Sequence, residues 1–109
     1  MRGHGYRILY RNFKDRHGGE IDIVCRDGDT LVFVEVKTRA DENFGRPVEA
    51  VDRQKQWRVS KGGLAWLRML DNPDIVFRFD VVEVLLPNEG DPKLELIQDA
   101  FELSQPYIY

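Results

Sequence analysis

The chain has 109 residues, 42% of them hydrophobic and 32% charged, with a net charge of −3. That is the composition and length of one globular domain, residues 1–109, and it excludes several classes. No repeat recurs at a solenoid period, no apolar run approaches the ~20 residues of a spanning helix, and the single cysteine, Cys25, forms no internal disulfide.

The elements follow in chain order. "GYRILYRNF" (5–13) is aromatic and β-branched and predicts a strand. No signal-peptide apolar region follows Met1, so a soluble cytoplasmic protein without membrane contact is expected. "KDRHGG" (14–19) is a polar loop, "EIDIVC" (20–25) a second strand, and "RDGD" (26–29) a hairpin turn around Asp-Gly. "TLVFVEVKTR" (30–39) is a third strand, and "ADENFGRP" (40–47) a loop. From about Asp52, as N-cap, to Leu70 the recurrence of Val59, Gly63, Trp66 and Leu70 predicts a helix. Its Gly62-Gly63 pair costs roughly 1 kcal/mol per glycine but lets the helix sit close on a sheet. "DNPD" (71–74) ends it, and "VFRFDVVEVLL" (76–86) and "LELIQDAF" (94–101) are further strands. The order β-β-β-α-β-β predicts an α/β mixed sheet flanked by helix rather than a sandwich.

Charge is distributed unevenly. Residues 1–61 hold 13 Lys+Arg against 10 Asp+Glu, and residues 62–109 hold 3 against 9. Such asymmetry can mark a working face opposite a solvated one.

The third strand carries the anomaly. Leu31 and Phe33 alternate with Val32, Val34 and Val36, so both faces read as covered, as in a central strand. Yet Glu35 and Lys37 follow Phe33 on one face. If Asp27-Gly28 is the two-residue turn, Val24 faces Leu31, Asp22 faces Phe33 and Glu20 faces Glu35. Glu20, Asp22, Glu35 and Lys37 then project from one face, with Asp22 diagonal to Glu35. A one-residue slip would separate them. Glu20 or Lys37 alone reads as ordinary solvent-face charge. Three gathered carboxylates do not, because they repel and need compensation. Lys37 offers some, and a divalent cation would offer more; all-oxygen ligation suits Mg²⁺ or Mn²⁺. His4 and His17 are isolated, and no zinc spacing is present.

Asp22, twelve residues, then Glu35-Val36-Lys37 resembles the active-site signature of the PD-(D/E)XK nuclease superfamily. "GGEIDIVCRDGDTLVFVEVKTR", "FGRPVEAV", "KQ", "RFDVVEV" and the late "DAF" resemble the bacterial YraN family of predicted endonucleases, related to archaeal Holliday-junction resolvases. The resemblance runs from about Gly5 to Phe101. It implies a restriction-endonuclease-like fold and a Mg²⁺-dependent (or Mn²⁺-dependent) endonuclease hydrolysing DNA phosphodiester bonds. Branched or single-stranded DNA of recombination and repair are the implied substrates. Residue by residue, it implies Asp22 and Glu35 as metal ligands, Lys37 as catalytic lysine, and Glu20 as an outer or second-metal contact. Lys55 and Gln56 match the family's "KQ". By helical spacing Lys55 lies on the side of Val59, Gly62 and Trp66, toward the sheet.

Arg39, Arg46, Arg53 and Arg58 are candidate phosphate contacts, as are Arg7, Arg11, Lys14 and Arg16. The superfamily core begins with a helix, whereas here only "MRGH" precedes the first strand. The N-terminal core helix is therefore expected to be missing, the sheet face beneath it exposed, and a homodimer favoured. The alternative reading is a catalytically weak or inactive nuclease-fold module that binds nucleic acid.

Overall fold

A computed structural model describes residues 5–39, 53–71, 74–87 and 89–102. The loop expected at 40–47, Arg46 and the Asp52 cap lie outside the described residues. Five strands and one helix follow in the expected order: β1 (Arg7–Lys14), β2 (Glu20–Asp27), β3 (Thr30–Arg39), α1 (Arg53–Met69), β4 (Phe77–Leu85) and β5 (Lys93–Phe101). The strands form one sheet in the order β1-β2-β3-β4-β5. Only β3 and β4, joined through α1, run parallel; the other pairs are antiparallel. The architecture is thus a mixed α/β sheet with a helix on one face, consistent with a nuclease-like fold, and β3 is its central strand.

The alternation in β3 divides the core. Leu31 and Phe33 join Val24, Phe79, Val81, Phe101 and the helix residues Val59, Ala65 and Leu67 on one face. Val32 and Val34 join Tyr6, Cys25 and Val82 on the other. Leu70 was expected on the buried stripe of the helix; it falls past the last turn and is exposed, while Leu67 and Ala65 fill the interior.

The second face departs from expectation. One sheet face was expected to lie exposed for want of a leading helix; on this face Cys25, Val32 and Val34 are buried, and Tyr6 packs among them. That face also carries a polar network. The fully buried Asp80 accepts hydrogen bonds from the Tyr6 hydroxyl (3.1 Å), Arg78 Nε (3.0 Å) and the Asp99 N–H (2.8 Å). Arg78 also donates to Asp27 at 3.0 Å. A buried carboxylate is tolerated because its lone pairs are met by charged and neutral donors. Its bond to Asp99 holds β5 where that residue adopts a φ of 51° and the β4–β5 register shifts.

Two backbone features set the geometry near the loop ends of β2 and β3. The β2–β3 turn is Gly28-Asp29, not Asp27-Gly28: Asp27 pairs with Thr30, Val24 with Phe33 and Ile23 with Val34. Gly28 takes a φ of 61° and Asp29 does not, the sign pattern of a type II′ turn, which needs glycine at its first central position. The register is therefore displaced by two residues from the expected one. An even displacement keeps every side chain on its face.

The second feature is the seat of the helix. A Cβ on Gly19 would lie 2.5 Å from the Gly62 nitrogen, and one on Gly62 would lie 2.8 Å from Ile21 Cγ1 and 3.0 Å from the Glu20 nitrogen. A Cβ on Gly63 would meet the Phe33 ring at 3.1 Å. Bare backbone at these positions brings α1 down onto the start of β2 and the middle of β3. The residues one and two turns earlier on the helix are thereby carried to the charged end of those strands.

Candidate active site

The observed register places Asp22 level with Glu35 rather than diagonal to it. The paired residues of β2 and β3 stop at Ile23 and Val34. Continued in step, the Val36 N–H would meet residue 21. Instead the Asp22 carboxylate accepts that N–H at 2.8 Å. The side chain replaces a rung of the ladder, so the strands part and a crevice opens between them. Glu20, expected to face Glu35, lies beyond the divergence. It pairs with Arg58 at 3.3 Å and is half exposed.

Glu35 is the most constrained member: only 2% of its side chain is exposed, and Lys55 Nζ lies 2.7 Å from its Oε1. Burial pushes the Glu35 carboxyl up to about 7. The Lys55 ammonium pulls the other way, and the neighbouring Asp22 charge adds to the rise. The bond to Glu35 holds the Lys55 ammonium above its ordinary range. These shifts are what crowding two carboxylates in a poorly hydrated crevice must produce.

Lys37, half-buried, shares the Glu35 face of β3 and lies opposite Glu83 of β4 in the parallel ladder. Glu83 is 3% exposed and sits two residues past the buried core residue Val81, on the same face. It was not among the residues singled out from sequence. The signal was present: Phe79, Val81 and Glu83 alternate as Leu31, Phe33 and Glu35 do, ending an apolar face in a carboxylate. Among the other candidates, Gln56 is half-buried beside Lys55, Arg53 is exposed at the helix start, and Arg39 closes β3.

The structure thus brings together Asp22, Glu35, Lys37, Lys55 and, unforeseen, Glu83, with Glu20 at the margin. Among the described residues no group of three His, Cys, Asp or Glu is disposed to hold a metal ion. Two adjacent carboxylates still fit Mg²⁺, which keeps several waters and is commonly held by one or two carboxylates plus substrate phosphate.

The model of the uncharacterised protein family UPF0102 matches residues 1–84. The chain belongs to this family. UPF0102 is the family to which the YraN resemblance points, and its matched span takes in Glu20, Asp22, Glu35, Lys37, Lys55, Gln56 and Glu83. The UPF0102 protein of Geotalea daltonii is 48% identical over 104 residues, covering 95% of this chain and 81% of the relative. That of Geobacter sulfurreducens is 50% identical over 99 residues, 91% of this chain and 77% of the relative. That of Syntrophus aciditrophicus is 52% identical over 100 residues, 92% and 77%. No helix among the described residues of this UPF0102 chain is long and apolar enough to cross a membrane.

Proposed function

We propose that this protein is a divalent-metal-dependent nuclease that hydrolyses DNA phosphodiester bonds at the β2–β3 crevice. One observation carries the reading: the Asp22 and Glu35 carboxylates stand level across parted strands, with Lys37 on the same face. Asp22 and Glu35 would hold Mg²⁺ or Mn²⁺, which supplies a more acidic water and relief of charge on the phosphoryl oxygens. The protein's own groups do the rest. Asp22 is oriented by the Val36 N–H, so one of its oxygens is fixed and the other remains to bind. Lys37 places a positive charge beside the phosphodiester and stabilises the charge that develops there. The buried Glu83 stands at the matching position of the neighbouring strand β4. Lys55 positions the Glu35 carboxylate through their 2.7 Å ion pair. Branched or single-stranded DNA is the substrate class, and a two-fold assembly would suit a two-fold substrate.

The Lys55–Glu35 ion pair also favours a second reading, a nuclease fold that binds nucleic acid without turnover, since the pair occupies the carboxylate the metal needs. Calorimetric titration of Mn²⁺ into the protein and its Glu35→Ala variant, with a panel of labelled linear, single-stranded and branched DNAs, decides between them. The nuclease predicts Mn²⁺ binding lost in the variant, and cleavage that needs the metal and is abolished by Asp22→Ala or Lys37→Ala. DNA binding without cleavage of any form supports the second reading. Cleavage without metal that survives the substitutions refutes both.

A further inference from the structure

The uneven charge of the sequence becomes a spatial polarity. The edge strand β1 and helix α1 together carry Arg7, Arg11, Lys14, Arg53, Lys55, Arg58, Lys61 and Arg68, and no acidic residue. The opposite edge, β5, carries Glu95 and Asp99 against Lys93. The basic residues of α1 are not scattered. Lys55, Arg58 and Lys61 recur every three residues and reach Glu35 on β3, Glu20 at the start of β2, and the His17 carbonyl in the β1–β2 loop. The helix therefore crosses from β3 toward β1, with a cation at each step.

The first two cations are met by carboxylates. The third is met by a neutral carbonyl, with its ammonium 4.1 Å above the Trp57 ring. Beyond it lies a surface groove of about 490 Å³ between the loop and the last turns of the helix, lined by Phe13, Lys14, Arg16, His17, Ala65, Arg68 and others. Asp15 is the one carboxylate in that lining, and it already accepts the His17 N–H at 3.1 Å. Among the described residues, positive charge is thus met by carboxylates at the crevice and less so along the helix away from it. From Lys55 to Arg68 the helix rises roughly 20 Å at ~1.5 Å per residue. At ~3.4 Å per phosphate in each strand of B-DNA, that is the reach of about six phosphates.

We infer that one nucleic-acid strand runs from the carboxylate crevice past Lys61 along this flank of α1 and seats its phosphates in the groove lined by Lys14, Arg16 and Arg68. The inference rests on the nuclease reading for its starting point, but the groove lies outside the crevice and stands on its own charge. The exposed rings of Trp57 and Tyr10 lie on the same helix and edge strand and would be available to stack on unpaired bases. The β5 edge, acidic and remote, turns toward solvent.

The test measures fluorescence anisotropy of labelled single-stranded and branched DNA with the full chain in EDTA, across a salt titration. The triple variant Lys14→Ala, Arg16→Ala, Arg68→Ala should bind about tenfold more weakly and flatten the salt dependence by about 2 log units per log unit, three phosphate contacts at ~0.7 each. Lys93→Ala, on the acidic edge, should bind as wild type. Circular dichroism and melting temperature confirm that the variants fold. Wild-type affinity in the triple variant overturns the inference, as does an equal loss in Lys93→Ala, or binding to phosphatidylserine-containing vesicles in preference to DNA. Cleavage with Mg²⁺ and Mn²⁺ separates the two proposals. DNA bound through the groove but never cut leaves the inference standing and removes the nuclease reading. Cutting that the triple variant performs with unchanged kcat/KM leaves the nuclease and removes the groove.

Discussion

Replacing Glu35 by glutamine should stabilise the protein at alkaline pH. The carboxyl titrates from an ordinary value of 4.5 to about 7 because it is buried beside Asp22. Between those values the native state holds a proton that the unfolded chain has released, so native stability falls as pH rises. At ~1.4 kcal/mol per pH unit, this one group costs roughly 3 kcal/mol above pH 7 relative to pH 4. Glutamine keeps the shape and removes the charge. The opposing pull of Lys55 is already contained in the value of about 7, so losing that ion pair takes nothing further from the difference. The variant should therefore exceed wild type by about 3 kcal/mol at pH 8, a rise of roughly 12 °C or more in Tm for a domain of this size, and should match it near pH 4.5. Urea unfolding of both proteins from pH 4.5 to 8 in EDTA reads the difference directly, since other titrating groups are common to the two. Wild-type stability that is flat over this window, or a variant weaker than wild type at pH 8, refutes the account of Glu35. Adding Mn²⁺ should reverse the order at pH 8, because only wild type can convert the repulsion into ligation.

Asp22→Ala should abolish metal-stimulated cleavage in the DNA assay and also cost about 1–2 kcal/mol in urea unfolding, since the Val36 N–H loses its acceptor. Gly19→Ala should cost upward of ~2 kcal/mol, because a Cβ 2.5 Å from the Gly62 nitrogen forces backbone from backbone; a neutral result would mean that the helix seat is slack. Cys25 is buried and burial pushes its thiol up to about 11, so it should resist a thiol reagent at pH 8 in native protein and react at once in denaturant.

Much of the fold was legible in the sequence because it rests on local signals. Alternation in "LVFVEVKT" identified a central strand, and a strand covered on both faces needs partners on both edges, which β2 and β4 supply. The two glycines in α1 announced close packing, and the contacts of Gly62 with Ile21 and Glu20 supply its reason. The grouping of Asp22, Glu35 and Lys37 on one face was also readable, since facing depends only on register parity. The displacement by two residues preserved it.

What the sequence left open needed coordinates. Asp-Gly and Gly-Asp compete as turn centres in "RDGD", and only the pairing of Asp27 with Thr30 decides between them. That choice brings Asp22 level with Glu35 and releases Glu20 to Arg58. Glu83 became a neighbour of Lys37 through a parallel pairing between segments some forty residues apart, a non-local contact that no local pattern encodes. The buried second face depends in the same way on Tyr6, Arg78 and Asp80 meeting from both ends of the chain. Sequence by itself determined the elements and the faces of their side chains, because steric and hydrophobic periodicities act over a few residues. Tertiary structure alone decided which charges meet, because ion pairing and proton affinity depend on distances and burial that exist only once the strands are in register and the helix is seated.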